Sequence, residues 1–361
     1  MDERESAVAP NGPRPVPAAI GRYRITGELG RGAMGLVYKA EDPALGRKVA
    51  VKTIELAFAV EPAERSEFER RFFVEAQIAA RLSHPGIVVC HDVGKDPDTG
   101  VLFMVLEYLE GTPLSDAVKP GGLLPSMQAV SIVAKVARAL HHAHEHGVIH
   151  RDMKPANVML LKSGEPKILD FGVAKLEGGQ LTVAGQFFGS PLYMSPEQAL
   201  ANPVDARSDI FSLGSILYAL LTSRHPFAAN SVPVILTRVV RDDPPRPSKV
   251  VPELPEGLDY VVARALAKQP DDRYGSAEAM AEDLQDIAAG GEPRHRAGWT
   301  PTVAEHTMAG GDPIDDLQSL LEEAPVAEAP RSVEARRAPS PKPDTRRPPL
   351  PSRPPAAPHP G

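Results

Sequence analysis

Cysteine is nearly absent from this chain. Cys90 is the only one in 361 residues, so no disulfide can close within it, and a reducing cytosol is the expected setting. Cys90 ends the apolar run Ile87-Val88-Val89-Cys90, which reads as a strand carrying a buried structural thiol rather than a reactive one. Long apolar runs are missing as well: no window approaches the roughly 18 residues of a membrane span. The start, Met1-Asp2-Glu3-Arg4-Glu5, is acidic and lacks the apolar stretch of a secretory signal. An excess of positive charge is also lacking. The formal net charge is -7 and no long basic run precedes the C-terminal tail, which argues against nucleic acid as a partner.

What the chain has is proline, 39 residues of it, densest toward both ends. Residues 1–21 are Pro/Ala/Gly-rich and read as a disordered leader. From about 290 to 361 hydrophobic periodicity largely fades, and Ala338 to Gly361 is dominated by Pro, Arg and Ser, which favours an extended, mostly disordered tail. Between them lies a globular block, 22–289. Its first part alternates like strands at 23–29, 36–40, 48–52 and 101–106, with one helix expected from Glu67 to Leu82. Its second part is helix-rich: 129–146, a mostly apolar 209–221, 258–266, and 277–287 with Ser276 as N-cap. A small β-rich unit followed by a larger α-rich unit predicts an α+β, two-lobed fold without internal repeats.

The stretch His150-Arg151-Asp152-Met153-Lys154-Pro155-Ala156-Asn157 carries the most chemistry. It sets a carboxylate, a cation and an amide within one short loop, and Asp, Lys and Asn are poor core residues. That set suits phosphate: an acid to take a hydroxyl proton, a lysine to meet negative oxygens, an amide to hold a metal. It resembles the H-R-D-x-K-x-x-N catalytic loop of eukaryote-like protein kinases. Other segments carry the same resemblance in the family's order. Gly30-Arg31-Gly32-Ala33-Met34-Gly35-Leu36-Val37 is a G-x-G-x-x-G-x-V. A dinucleotide-binding turn has the same glycine spacing but opens a helix, whereas Leu36-Val37-Tyr38 continues as a strand, so these glycines belong to a hairpin whose backbone can close over phosphates. Val49-Ala50-Val51-Lys52 places a lysine at the end of an apolar strand, where it needs a partner. Glu75, mid-helix, is the expected partner and Glu69 its rival. Ile168-Leu169-Asp170-Phe171-Gly172 matches D-F-G, and Ser195-Pro196-Glu197 stands where the family has A-P-E.

The resemblance covers residues 22–289 and is closest to bacterial eukaryote-like serine/threonine kinases, by wording such as His84-Pro85-Gly86-Ile87-Val88 and Pro196-Glu197-Gln198. It implies an N-lobe of about 22–108 and a C-lobe of about 109–289. It implies ATP as phosphate donor, Mg²⁺ or Mn²⁺ as metal, and signalling through protein substrates bearing Ser or Thr. Asp152 would accept or orient the substrate hydroxyl, Lys154 would meet the transferring phosphate, and Lys52 would hold ATP phosphates. Asn157 and Asp170 would hold the metal. Gly30, Gly32, Gly35 and Val37 would cover the nucleotide, and the hinge backbone at Glu107 and Leu109 would bind adenine behind Leu106. Asp209 would anchor the catalytic-loop backbone, Arg273 would pair with Glu197, and His150 would pack and hydrogen-bond. Thr182 is the expected phosphosite, with Arg151 as its cation, and Ser190 replaces the family's usual Thr. The alternative is a pseudokinase scaffold, against which Lys52, Asp152, Asn157 and Asp170 are all present.

Four histidines (His141, His142, His144, His146) precede His150 but lack the spacing of a closed zinc site. In the tail, Ile314, Leu317, Leu320 and Leu321 have the spacing of one short amphipathic helix, and Arg346-Arg347-Pro348-Pro349-Leu350-Pro351 suits a proline-reading partner. Thr300, Thr302 and Thr307 are candidate autophosphorylation sites, which would involve self-association.

Overall fold

The computed structural model describes residues 16–32, 35–54, 62–119, 122, 124–171 and 191–300. Six antiparallel strands form the first sheet in the order β1-β2-β3-β4-β6-β5: β1 (Ala19–Ile20), β2 (Tyr23–Gly32), β3 (Gly35–Asp42), β4 (Arg47–Ile54), β5 (Cys90–Lys95) and β6 (Leu102–Glu107). Strand alternation explains why both faces of its centre are apolar. Val49, Val51, Phe103 and Val105 join one cluster with Tyr23, Leu36 and Tyr38. Ala50, Leu102, Met104 and Leu106 join another, which α1 (Pro62–Ala79) covers with fully buried Phe72 and Ala76.

Helix α1 starts earlier than the expected Glu67, because Pro62 fits a first helical position. It ends before Leu82: Arg81 N donates to Ile78 O and Leu82 N to Ala79 O, tightening the last turn ahead of His84-Pro85. Ala19 and Ile20, placed by sequence in the leader, pair with Arg24 and Tyr23, and Gly21 N donates to Asp96 Oδ2 at 2.7 Å. Two residues are too short a run for a periodic signal. The Cys90 thiol is half-buried, and burial pushes it up to about 11, as expected of a structural cysteine.

The C-terminal part is built on α4 (Ala206–Thr222), buried from Ser208 to Thr222. Gly214 permits its close crossing with α7 (Glu256–Ala265): an added Cβ would lie 2.7 Å from the Ala265 Cβ. Around α4 pack α2 (Ser126–Glu145) and α8 (Ala277–Ala288), the latter capped by Ser276, whose Oγ accepts from Ala279 N at 3.2 Å. Between α2 and α4 run β8 (Val158–Leu161), β9 (Pro166–Ile168) and α3 (Pro196–Ala199), and β7 (Gly111–Pro113) completes a small sheet with β8 and β9. α5 (Val232–Arg241) and α6 (Pro247–Val250) follow α4. A strand-rich unit followed by a helix-rich unit is the α+β, two-lobed fold expected.

The chain continues past residue 289 in contact with the helices. Tyr260 Oη and Arg264 donate to His295 O, and Trp299 Nε1 donates to Asp272 O at 2.6 Å. No helix among the described residues is long and apolar enough to cross a membrane.

Candidate active site

The loop between α2 and β8 is held by one buried carboxylate. Asp209, in the first turn of α4, accepts from His150 N at 2.8 Å and Arg151 N at 2.9 Å, and pairs with His144 Nε2 at 2.8 Å. Burial pushes this carboxyl up, but the bond and charge of His144 and the backbone amide of His150 outweigh it and hold the group below the usual carboxylate range. So anchored, Arg151 sits at φ 61°, the left-handed region uncommon for a side-chain-bearing residue.

His150 is fully buried against Phe171, ring centroids 5.1 Å apart. Its Nε2 bonds to Leu169 O at 2.9 Å and its Nδ1 accepts from Asp152 N at 3.2 Å, the pattern of a neutral ring. Leu169 N in turn donates to Asn157 O at 2.8 Å, so the residue before Asp170 is tied to the catalytic loop at both ends. Within the loop Asp152 accepts from Lys154 Nζ at 2.7 Å. Asn157 Nδ2 donates to Asp152 O at 2.8 Å and is 3.3 Å from Asp152 Oδ2, which commits the amide nitrogen and leaves the amide oxygen as the atom for a cation.

Lys52 on β4 pairs with Asp170 Oδ1 at 2.9 Å, and Asp170 takes φ 50°. No motif spacing in the sequence links Lys52 to Asp170. Glu75 lies half-buried on α1, between buried Phe72 and Ala76. Its rival Glu69 faces elsewhere, bound to Lys95 Nζ at 2.9 Å. The glycine segment is a hairpin: Gly30 opposes Val37 and Gly32 opposes Gly35. Gly35, at φ 145°, abuts β4, where an added Cβ would meet Thr53 O at 2.0 Å; Gly30 has open space instead. Val37, Ala50, Leu106, Leu109 and Leu169 belong to one apolar cluster.

At the end of β6 the Glu107 amide donates to Val89 O at 2.9 Å. Its carboxylate accepts from Val89 N at 2.8 Å and from Lys167 Nζ, tying the hinge to β9. Lys167 escaped the sequence reading, although alternation with buried Ile168 sets it on the other face.

Arg273 and Glu197, 76 residues apart, form a buried bidentate pair with both contacts at 2.8 Å. The other guanidinium protons reach Ala267 O, Arg207 O and Lys268 O, so all five donors are used. Ser208 Oγ also donates to Glu197. Thr182, Ser190 and Gly172, with the rest of 172–190, lie outside the described residues.

Burial lowers His84, His91, His150 and His225 below the usual 6.5, helped by the charges of His142 at His84 and Arg47 at His91. Below pH 6.5 the unfolded chain binds protons that the folded one refuses, so stability should fall as pH drops toward their native values. Urea unfolding at several pH values between 7.5 and 5.5 checks this; a flat profile would exclude it.

Residues 23–284 match the protein kinase domain family. Serine/threonine-protein kinase PknB of Mycolicibacterium smegmatis is 40% identical over 311 residues, 84% of this chain and 49% of the relative. The probable serine/threonine-protein kinase SCO3848 of Streptomyces coelicolor is 41% identical over 270 residues, 73% of this chain and 40% of the relative. The chain thus spans less than half the length of these two relatives. The crystal structure of the Mycobacterium tuberculosis PknI kinase domain superposes with a TM-score of 0.60 at 32% identity, covering 74% of this chain and 97% of that one. The chain is a member of the bacterial serine/threonine protein kinase family.

Proposed function

We propose that this chain transfers the γ-phosphate of ATP to Ser or Thr hydroxyls of protein substrates. The observation that carries the reading is the braced cluster of Asp152, Lys154 and Asn157, joined through Leu169 to Asp170 and Lys52. Adenine would meet the Glu107 carbonyl and the Leu109 amide, with Val37, Ala50 and Leu106 against its faces. Gly30 and Gly32 leave room for phosphates beneath the hairpin. Lys52 would hold the α- and β-phosphates, and Glu75, with its rival Glu69 committed to Lys95, is the acid assigned to position it. Asn157 and Asp170 offer oxygens only, the donor type Mg²⁺ prefers, with Mn²⁺ also accommodated. The metal would supply neutralisation of phosphate charge.

Asp152 orients the acceptor hydroxyl for in-line attack on the γ-phosphorus and takes its proton as the new O–P bond forms and the bond to ADP breaks. Lys154, already 2.7 Å from Asp152, meets the oxygens of the moving phosphoryl group. Orientation outweighs basicity here, because the phosphoryl transition state is loose.

A kinase domain between a leader and a tail belongs to the same reading, with the expected limits of 22–289 widened to take in Ala19–Ile20 and the packed stretch to Trp299. So do phosphorylation of Thr182 opposite Arg151, Ser190 bridging Lys154 and Asp152, self-association for autophosphorylation, a tail-binding partner and a cytoplasmic setting. The test is phosphate transfer to casein, with phosphoamino acid analysis of the product. Lys52→Met should lower turnover about 100-fold. Wild-type turnover by that variant, or phosphotyrosine as the sole product, would reject the reading.

A further inference from the structure

Gln198, the third residue of α3, spends both ends of its amide. Its Oε1 accepts from Ser195 N at 3.1 Å, closing a capping box with the Ser195 hydroxyl, which accepts from Gln198 N at 3.4 Å. Its Nε2 crosses to the catalytic loop and donates to Arg151 O at 2.8 Å. That carbonyl belongs to the peptide bond leading into Asp152.

The opposite edge of the same peptide is also fixed, since Asp152 N donates to His150 Nδ1 at 3.2 Å. A peptide unit is planar, so holding its oxygen and its N–H fixes the plane. The plane sets ψ of Arg151 and φ of Asp152, and with them the direction in which the Asp152 side chain leaves the backbone. Arg151 lies at φ 61°, a conformation held by its surroundings and not by local preference. Asp209 holds the amide of Arg151 at 2.9 Å, and Gln198 holds its carbonyl.

We propose that Gln198 is a positioning residue for Asp152, aligning the catalytic carboxylate only when α3 is docked. Glu197 next to it fastens α3 to Arg273; Gln198 passes that placement to the reacting loop. The proposal rests on Asp152 being the residue that orients the acceptor hydroxyl.

The experiment uses the full chain and four variants, with kcat, KM for ATP and thermal midpoint read for each. Gln198→Glu keeps an oxygen for Ser195 N but has no N–H for Arg151 O. It should lower kcat about 10- to 100-fold, the size expected of a misplaced reacting group, with KM for ATP within about twofold. Gln198→Met, lacking donor and acceptor, should lose at least as much. Ser195→Ala weakens the cap but spares the crossing bond, so its kcat should stay within about twofold of wild type. Wild-type kcat in Gln198→Glu, or an equal kcat loss in Ser195→Ala, would overturn the inference. Asp152→Asn separates the two readings: if it stays active, the assignment of Asp152 fails; if it is inactive while Gln198→Glu is fully active, only the role of Gln198 fails.

Discussion

Asp152→Asn should lower kcat by about 10²- to 10⁴-fold while the protein stays folded and still binds ATP. The substitution keeps the shape of the side chain and an oxygen for Lys154 Nζ, now 2.7 Å from Asp152 Oδ2. On the proposed mechanism it removes the negative charge that would draw in the acceptor hydroxyl and the site that would receive its proton. The Asp152–Lys154 pair is part-exposed, with side chains 22% and 26% accessible, so its loss should cost at most about 1 kcal/mol of stability. The fold of the loop rests elsewhere, on Asp209 and His150. Single-turnover phosphate transfer, nucleotide binding and a thermal melt together check this. A kcat within tenfold of wild type would remove Asp152 from the reaction, and a collapsed melt would make it a structural residue.

Arg273→Ala should cost about 3–5 kcal/mol of folding stability, because it leaves Glu197 charged, buried and without its guanidinium. At roughly 2–4 °C per kcal/mol for a domain of this size, the melting midpoint should fall by about 10 °C. Three backbone carbonyls, of Ala267, Arg207 and Lys268, lose a donor at the same time. Burial pushes the Glu197 carboxyl up, but Arg273 and Ser208 outweigh it and hold it below the usual range. The stability from this pair is therefore present above the unfolded carboxylate value and lost as pH falls through the lower native one. The double variant Arg273→Ala/Glu197→Ala should cost less than the two single costs added together, since neither charge is then left stranded. A loss under about 1 kcal/mol for Arg273→Ala would show that α3 is held by other contacts.

Features built from neighbouring residues are legible in this sequence, and those built from distant ones are not. The catalytic loop packs its acid, lysine and amide into eight residues, so the sequence alone put them together. Strands β3, β4 and β6 were legible because alternation along each matches two apolar faces. The apolar pattern of helix α1 begins several residues after its first turn, since that turn carries charged residues and no apolar stripe.

The residues proposed for the reaction are legible in the sequence: Lys52, Asp152, Lys154, Asn157 and Asp170 each sit in a short motif whose proposed chemistry needs that residue type there. The tertiary structure decided how they are held. Lys52 meets Asp170 across 118 positions, Gln198 reaches the Arg151 carbonyl, His144 shares Asp209 with the loop, and Trp299 bonds to Asp272 beside Arg273. Those contacts form only after β4, α2, α3 and α4 converge and the stretch past α8 folds back. A contact between residues so far apart leaves no periodicity or spacing in the chain, because its geometry is a property of packed elements and not of neighbouring residues.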